Sequence, residues 1–156
     1  MPKLDLDSIE QMNRTGYPAP FDRDVQGRWY RRLAPAAGLT DFGASHVVLK
    51  PGAWSSQRHW HNGEDEFLVM LSGEAVLVED DGPTVLRAGD IAAWAKGSTN
   101  GHHLRNESDA DCSFVVVGGG INTGGGYSDI DLVFTADGTY THKDGTAYDD
   151  DKTRPA

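Results

Sequence analysis

One stretch of the sequence decides the fold: residues 52–73 read GAWSSQRHWHNGEDEFLVMLSG. It carries His59 and His61, which are separated by one residue, and then Glu66. Side chains alternate between the two faces of a β-strand, so residues two apart project from the same face. The two imidazoles can therefore converge on one ion, and the spacing predicts a metal site built on a strand.

A second histidine segment follows further along the chain, where residues 101–106 read GHHLRN. A histidine from this segment could complete a site that the first strand cannot close alone. His102 and His103 are adjacent, and a strand sends adjacent side chains to opposite faces. Only one of them can therefore be a ligand.

Length and composition indicate one globular domain, since 156 residues with 38% hydrophobic content provide enough core for one. No apolar run approaches the ~20 residues that a membrane span needs. The start of the chain, MPKLDLDSIE, lacks the charged and then apolar layout of a secretion signal. We expect a soluble, cytoplasmic protein without a membrane partner.

The net charge argues against nucleic-acid binding, and the cysteine count excludes an internal disulfide. A formal net charge of −10 argues against a nucleic-acid partner, because such binding depends on clustered Lys and Arg. The single cysteine, Cys112, cannot form an internal disulfide and lies in the apolar run CSFVVV. It is predicted to pack as a small buried group.

The distribution of turn residues is typical of an all-β fold. Nineteen glycines and seven prolines separate short apolar runs, and helical periodicity is scarce. One short helix is predicted over Asp7 to Asn13. Predicted strands cover residues 29–33, 44–50, 56–61, 66–71, 75–79, 84–87, 91–94, 102–106 and 113–117. That many short strands predict a sandwich or a closed barrel, which hides sheet edges.

The chain divides into three segments by composition. Residues 1–28 are predicted to be an N-terminal arm, residues 29–120 the β-barrel with a motif-bearing core at 44–117, and residues 121–156 a polar C-terminal tail. The tail contains one apolar cluster, at residues 130–134. A disordered tail rarely carries several large apolar residues together, so we expect the cluster to dock on the barrel.

These motifs resemble those of the cupin superfamily over roughly Ala44 to Val117. Cupin motif one is matched by Gly52, His59, His61, Glu66 and Gly73, and motif two by Gly89, Gly97, His102 and Asn106. The first gap of motif one is one residue longer than usual. In motif two Ala95 stands where a proline is usual, and four residues instead of two separate Gly97 from His102.

The resemblance implies a double-stranded β-helix, the cupin or jelly-roll barrel, with one divalent metal ion. The implied ligands are His59, His61, Glu66 and His102, where the motif match and strand parity favour His102 over His103. The ligand types do not choose among Fe, Mn, Ni, Co and Zn. The chain is also similar to small bacterial cupins labelled sugar-phosphate-isomerase-like.

This ligand set favours a mononuclear metal-dependent enzyme of isomerase, epimerase or lyase type. Its substrate would be a small oxygenated metabolite, sugar-like or a hydroxy acid, chelated by the ion. Three alternatives stay open: a metal-binding or ligand-sensing cupin without turnover, an Fe(II) dioxygenase, and a structural homodimer whose metal only stabilises the fold. Small cupins often pair, and the strand from Trp29 to Leu33 could extend a partner's sheet, so a homodimer is expected.

The groups that would assist such chemistry are harder to predict. Glu64 and Asp65 are expected to be solvated turn residues. If the histidines face inward, Gln57 shares their face, while parity turns Arg58 and Arg105 outward. No residue outside the motifs is therefore assigned a catalytic role.

Overall fold

The computed structural model describes residues 3–148, which form a nearly all-β domain. The strands are β1 (Arg28–Arg32), β2 (Phe42–Leu49), β3 (His59–His61), β4 (Glu64–Ser72), β5 (Glu74–Glu79), β6 (Gly82–Arg87), β7 (Ile91–Trp94), β8 (His103–Arg105), β9 (Cys112–Gly120), β10 (Gly125–Tyr127), β11 (Val133–Phe134) and β12 (Tyr140–Thr141). One helix, α1 (Leu33–Ala36), follows β1, and a single 3-10 turn spans Leu6–Ser8. None of the helices in this described part of the chain is long and apolar enough to cross a membrane.

The strands form three antiparallel sheets. The largest has the order β1-β2-β9-β4-β7, a second has the order β6-β5-β8, and a third has the order β12-β11-β10-β3. Strands distant in sequence are neighbours in the sheets, as β2 beside β9 shows. The expected all-β jelly-roll barrel is confirmed.

The main core lies where the five-stranded and the three-stranded sheets pack together. On β4, Leu68 and Met70 are buried whereas Phe67 and Leu71 are exposed, so the strand alternates as a half-buried strand should. Leu77 on β5 and Leu104 on β8 belong to the same buried cluster. Each such side chain contributes about 1.5–3 kcal/mol on burial, and this core holds β4, which carries Glu66, and β8, which follows His102.

The segment after Gly120 lies directly beside the histidine strand. In the β10–β3 pair, Gly125 is opposite His61 and Tyr127 is opposite His59. A Cβ atom at Gly125 would lie 2.0 Å from the carbonyl oxygen of Trp60, so only glycine permits this approach. Leu132 is fully buried in a second apolar cluster formed with residues of the N-terminal segment.

The helix predicted over Asp7 to Asn13 is reduced to the 3-10 turn that ends at Ser8 and is wrong for the residues after it. Met12 instead pairs with Tyr30 of β1, with backbone N–H···O distances of 2.9 Å and 2.8 Å in the two directions. β1 is the edge of the five-stranded sheet, and its edge N–H and C=O groups need partners. Pairing with β1 therefore replaces helical hydrogen bonds in this segment.

Candidate metal centre

Both histidine motifs meet through their backbones. His59, the first residue of β3, donates its N–H to the carbonyl of His102 at 3.2 Å, and His102 returns a hydrogen bond at 2.9 Å. Two residues that lie directly opposite each other in an antiparallel pair exchange hydrogen bonds in this reciprocal way. The pairing fixes the position of the second motif against the first.

The structure brings the four predicted ligand side chains together. Nε2 of His59 lies 3.2 Å from Nε2 of His61. Oε2 of Glu66 lies 3.5 Å from Nε2 of His61 and 2.7 Å from Nε2 of His102. The ligand atoms of His59, His61 and Glu66 all lie within 4.8 Å of one another, an arrangement that could hold a metal ion.

The surroundings of His59 direct a lone pair into this cluster. Burial lowers the pKa of His59 to about 4, although Glu66 opposes the shift, so the ring is neutral near pH 7. Its Nδ1 lies 3.0 Å from the carbonyl oxygen of Gln57, which can only accept a hydrogen bond. The single ring hydrogen therefore sits on Nδ1, and Nε2 presents its lone pair to the cluster.

Glu66 supplies the negative charge of the cluster. Burial alone raises the pKa of this carboxyl group, but the hydrogen bond with His102 and the charges of the nearby histidines outweigh it and hold the pKa at about 2. The side chain is 16% exposed. An ionised carboxylate at this depth is costly unless it is paired or ligated.

These donors fit a divalent first-row ion. Imidazole nitrogens and a carboxylate oxygen suit Fe, Mn, Ni, Co and Zn alike. The fit is better for His59, whose tautomer is set, than for His61 and His102. Their Nδ1 atoms are buried and make no hydrogen bond within residues 3–148, although Nδ1 of His61 lies 3.3 Å from the Glu64 carboxylate.

His103 is occupied elsewhere. Its Nδ1 lies 2.9 Å from the carbonyl oxygen of Ser56, so this nitrogen donates. Its Nε2 accepts a hydrogen bond from Nε of Arg105 at 3.0 Å. With both ring nitrogens engaged and the ring packed edge-on against Trp54, His103 has no lone pair to offer an ion.

Trp94 holds the ring of His102 in place. The indole lies parallel to the imidazole, and its Nε1 donates a hydrogen bond to Glu79 at 2.9 Å. Trp94 is also the β7 residue opposite Glu66 on β4. Trp94 therefore packs against the ring of His102, the histidine whose Nε2 contacts the Glu66 carboxylate.

Three expectations around the first motif are wrong. The strand predicted from Ser56 begins only at His59, because the Ser56 and Gln57 carbonyls bond to histidine side chains instead of a neighbouring strand. Gln57 accordingly turns away, and its side-chain amide donates to the carbonyl of Phe21. Glu64 is not a turn residue but the first residue of β4, with Oε2 3.3 Å from Nδ1 of His61.

A cavity of about 400 Å³ opens beside the donor cluster. Residues outside both motifs contribute to its wall, among them Arg28, Tyr17, Tyr127 and Tyr140. Arg58, in contrast, pairs with Asp80 and Asp129. The sequence gives no local signal for these wall residues, because long-range strand pairing brings the arm and the tail to the cavity.

Comparisons with known proteins agree with this geometry. The cupin domain family matches residues 45–118. The chain is similar to a cupin-superfamily sugar phosphate isomerase from Silicibacter pomeroyi DSS-3, with 41% identity, a TM-score of 0.88 and coverage of 98% of this chain and 100% of that chain. A search of curated protein sequences finds no significant match.

More distant structures share the fold. A sugar phosphate isomerase described as putative, from Acidithiobacillus ferrooxidans ATCC 23270, has 22% identity and a TM-score of 0.65, covering 74% of this chain and 76% of that chain. A predicted oxalate decarboxylase from Thermotoga maritima has 20% identity and a TM-score of 0.61, covering 76% of this chain and 99% of that chain. With two matching motifs, the converging donors and a close full-length relative, the chain belongs to the cupin superfamily.

Proposed function

We propose that His59, His61, Glu66 and His102 hold one divalent ion, which is Fe, Mn, Ni, Co or Zn. The observation that carries the proposal is the convergence of their donor atoms, including the 2.7 Å approach of His102 to Glu66, at the wall of a cavity. A divalent cation bound among the imidazoles would balance the charge of the half-buried Glu66 carboxylate. The bound ion would polarise substrate oxygens and acidify an adjacent C–H bond.

We further propose a metal-dependent isomerase, epimerase or lyase that acts on a small oxygenated metabolite, sugar-like or a hydroxy acid. The cavity has the volume of a small-molecule site. Its tyrosines can donate hydrogen bonds to hydroxyl and carbonyl oxygens, because burial raises the pKa of Tyr17 to about 12 and keeps that hydroxyl protonated. Similarity to the Silicibacter pomeroyi protein supports this class of substrate.

A second candidate is a ligand-binding or sensing cupin without turnover. One observation favours it: among the described residues that line the cavity, Glu66 is the sole carboxylate, and it lies within the donor cluster. Proton transfer needs a base within hydrogen-bond reach of the substrate. A third candidate, an Fe(II) dioxygenase, needs no such base but consumes dioxygen.

One set of measurements separates the candidates. The metal content of the purified protein is determined, and the loaded protein is incubated in D2O with sugars, sugar phosphates and hydroxy acids. Incorporation of deuterium at carbon, followed by NMR, indicates an isomerase, an epimerase or a lyase, and dioxygen uptake indicates a dioxygenase. Saturable binding without turnover supports the second candidate. The metal proposal fails if no stoichiometric metal is present and Glu66→Ala binds metal as well as wild type.

The homodimer stays a prediction. The β1 edge is partly covered by the pairing of Met12 with Tyr30, whereas the five-stranded sheet exposes Phe67 and Ile91 on its outer side. Contiguous exposed apolar patches mark interaction surfaces, and we propose this face of the sheet as the dimer contact. Sedimentation of wild type and Ile91→Lys tests the prediction, since a dimer formed through this face should be weakened by the charge.

A further inference from the structure

Arg28, the first residue of β1, places a cation at the cavity without an anionic partner. Its Nη1 donates to the carbonyl of Ser55 at 2.9 Å, and its Nη2 donates to the carbonyl of Arg14 at 3.2 Å. Its Nε is buried and makes no hydrogen bond within residues 3–148. The guanidinium is therefore held in one orientation by two neutral acceptors while its charge stays unbalanced.

This arrangement differs from that of Arg58. Arg58 forms ion pairs with Asp80 at 2.6 Å and with Asp129 at 2.8 Å. Arg28 has no carboxylate within 4.0 Å in the described part of the chain, and it is the only Lys or Arg there that lines the cavity. A guanidinium has five N–H donors, so donors remain for a ligand after the two carbonyls are satisfied.

Tyr17 provides a second donor at the same wall. Its hydroxyl oxygen accepts a hydrogen bond from the N–H of Gln57 and another from the hydroxyl of Tyr127, both at 3.3 Å. With both lone pairs occupied, the Tyr17 hydroxyl can only donate its own hydrogen. Tyr17 and Arg28 both line the cavity, so it has two fixed donors and one positive charge outside the metal motifs.

We propose that Arg28, together with the Tyr17 hydroxyl, binds the oxyanion group of the metabolite, a carboxylate or a phosphate, while its chelating oxygens face the four metal donors. The proposal rests on the proposed function in that one metabolite occupies both parts of the cavity. Arg favours such groups because its planar fork matches two oxygens at once. Neutral sugars would leave the charge of Arg28 unbalanced and bind more weakly.

A purely structural role for Arg28 makes a different prediction. Its bonds to Ser55 and Arg14 link β1 to the arm, and its guanidinium carbon lies 5.4 Å from the Tyr30 ring centroid. If these contacts were its whole role, substitution would lower stability but would leave the discrimination between charged and neutral ligands unchanged. Ligand discrimination is therefore the decisive readout.

The test uses D-glucose, D-glucuronate and D-glucose 6-phosphate, which differ only at C6, in calorimetric titrations of the metal-loaded protein. The variants are Arg28→Gln and Arg28→Lys, with Arg31→Gln as the matched control. Arg31 lies on the same strand and also donates to an arm carbonyl, that of Ile9 at 3.1 Å, but does not line the cavity. Metal content and thermal unfolding are measured for each variant.

At least one anionic probe is expected to bind wild type and Arg31→Gln about tenfold or more tightly than D-glucose does. The preference should nearly vanish in Arg28→Gln and persist in reduced form in Arg28→Lys, which keeps the charge but not the fork. The anionic probe whose affinity exceeds that of D-glucose by the larger factor identifies the bound group as a carboxylate or a phosphate. If Arg28→Gln does not fold, the reduced preference of Arg28→Lys provides the test.

Three results would overturn the inference: no probe binds wild type, wild type binds all three equally, or a folded Arg28 variant keeps the full preference. Its failure is distinguishable from failure of the proposed function. An Arg28-dependent anion preference in a protein that takes up no metal would contradict the metal proposal alone. Stoichiometric metal in a protein without anion preference would contradict the Arg28 inference alone.

Discussion

Trp94 and His102 stack face to face, with ring centroids 3.8 Å apart and planes inclined by 9°. Nδ1 of His102 is buried and has no hydrogen-bond partner in the described chain. Ring orientation of a ligating histidine is usually fixed by a hydrogen bond from its second nitrogen. Here the indole takes over that role.

Trp94→Leu should therefore weaken metal binding without abolishing it. Loss of an orienting group costs a metal site about tenfold or more in affinity, and chelator competition measures the change. Trp29→Leu is the control, since Trp29 lies on β1 and does not line the cavity. Equal metal affinity in Trp94→Leu and wild type would show that the stack does not position His102.

Gly125→Ala should destabilise the fold and disturb the metal centre together. The added Cβ would lie 2.0 Å from the Trp60 carbonyl oxygen and 2.4 Å from the Phe134 ring, on the strand that faces His61. We expect a loss of about 2 kcal/mol in the free energy of unfolding, measured with urea. Gly43→Ala is the matched control, because its nearest contact is at 3.7 Å. A similar small effect for both substitutions would contradict this packing.

Stability should fall at alkaline pH through Tyr17. Burial is the main cause that raises the Tyr17 pKa from 10.0 to about 12, so the folded state keeps a proton that the unfolded state releases. The stabilisation is complete below pH 10 and is lost as the pH rises towards 12. In urea unfolding between pH 8 and 11, Tyr17→Phe should show a shallower decline than wild type. Parallel curves would argue against a buried neutral hydroxyl.

Cys112 should be unreactive in the folded protein. The residue has 0% exposure, and burial raises the pKa of its thiol to about 11. Because the thiolate is the reactive form, iodoacetamide at pH 8 should label the native protein far more slowly than the urea-unfolded protein. Similar rates in both states would place the thiol in solvent.

The core strands and the convergence of the four candidate side chains could be predicted from the sequence because their signals are local, while metal binding by these residues stays a proposal. A spacing of two residues places His59 and His61 on one side of β3, and alternation on β4 separates buried Leu68 from exposed Phe67. Parity allowed only one of His102 and His103 to be a ligand, and the motif match favoured His102; the nitrogens of His103 bond to Ser56 and Arg105. The choice of His102 therefore needed the family resemblance, whereas the other inferences need only the geometry of one strand.

Other parts of the site depend on pairing between distant segments and could not be predicted. Tyr127 reaches the cavity because β10 pairs with β3, an approach that Gly125 permits by lacking a side chain. Arg28 lies at the wall because β1 joins the five-stranded sheet. Glu64 was misassigned because β4 begins earlier than its apolar alternation indicates.

The most direct test of the metal centre is an anomalous difference map from crystals of the protein whose metal has been identified by elemental analysis. Data collected at the absorption edge of that metal should show one peak per chain, about 2.0–2.2 Å from the histidine nitrogens and the carboxylate oxygen. The predicted contacts are Nε2 of His59, His61 and His102 and a side-chain oxygen of Glu66. A protein without stoichiometric metal, or a peak away from these four residues, would contradict the account.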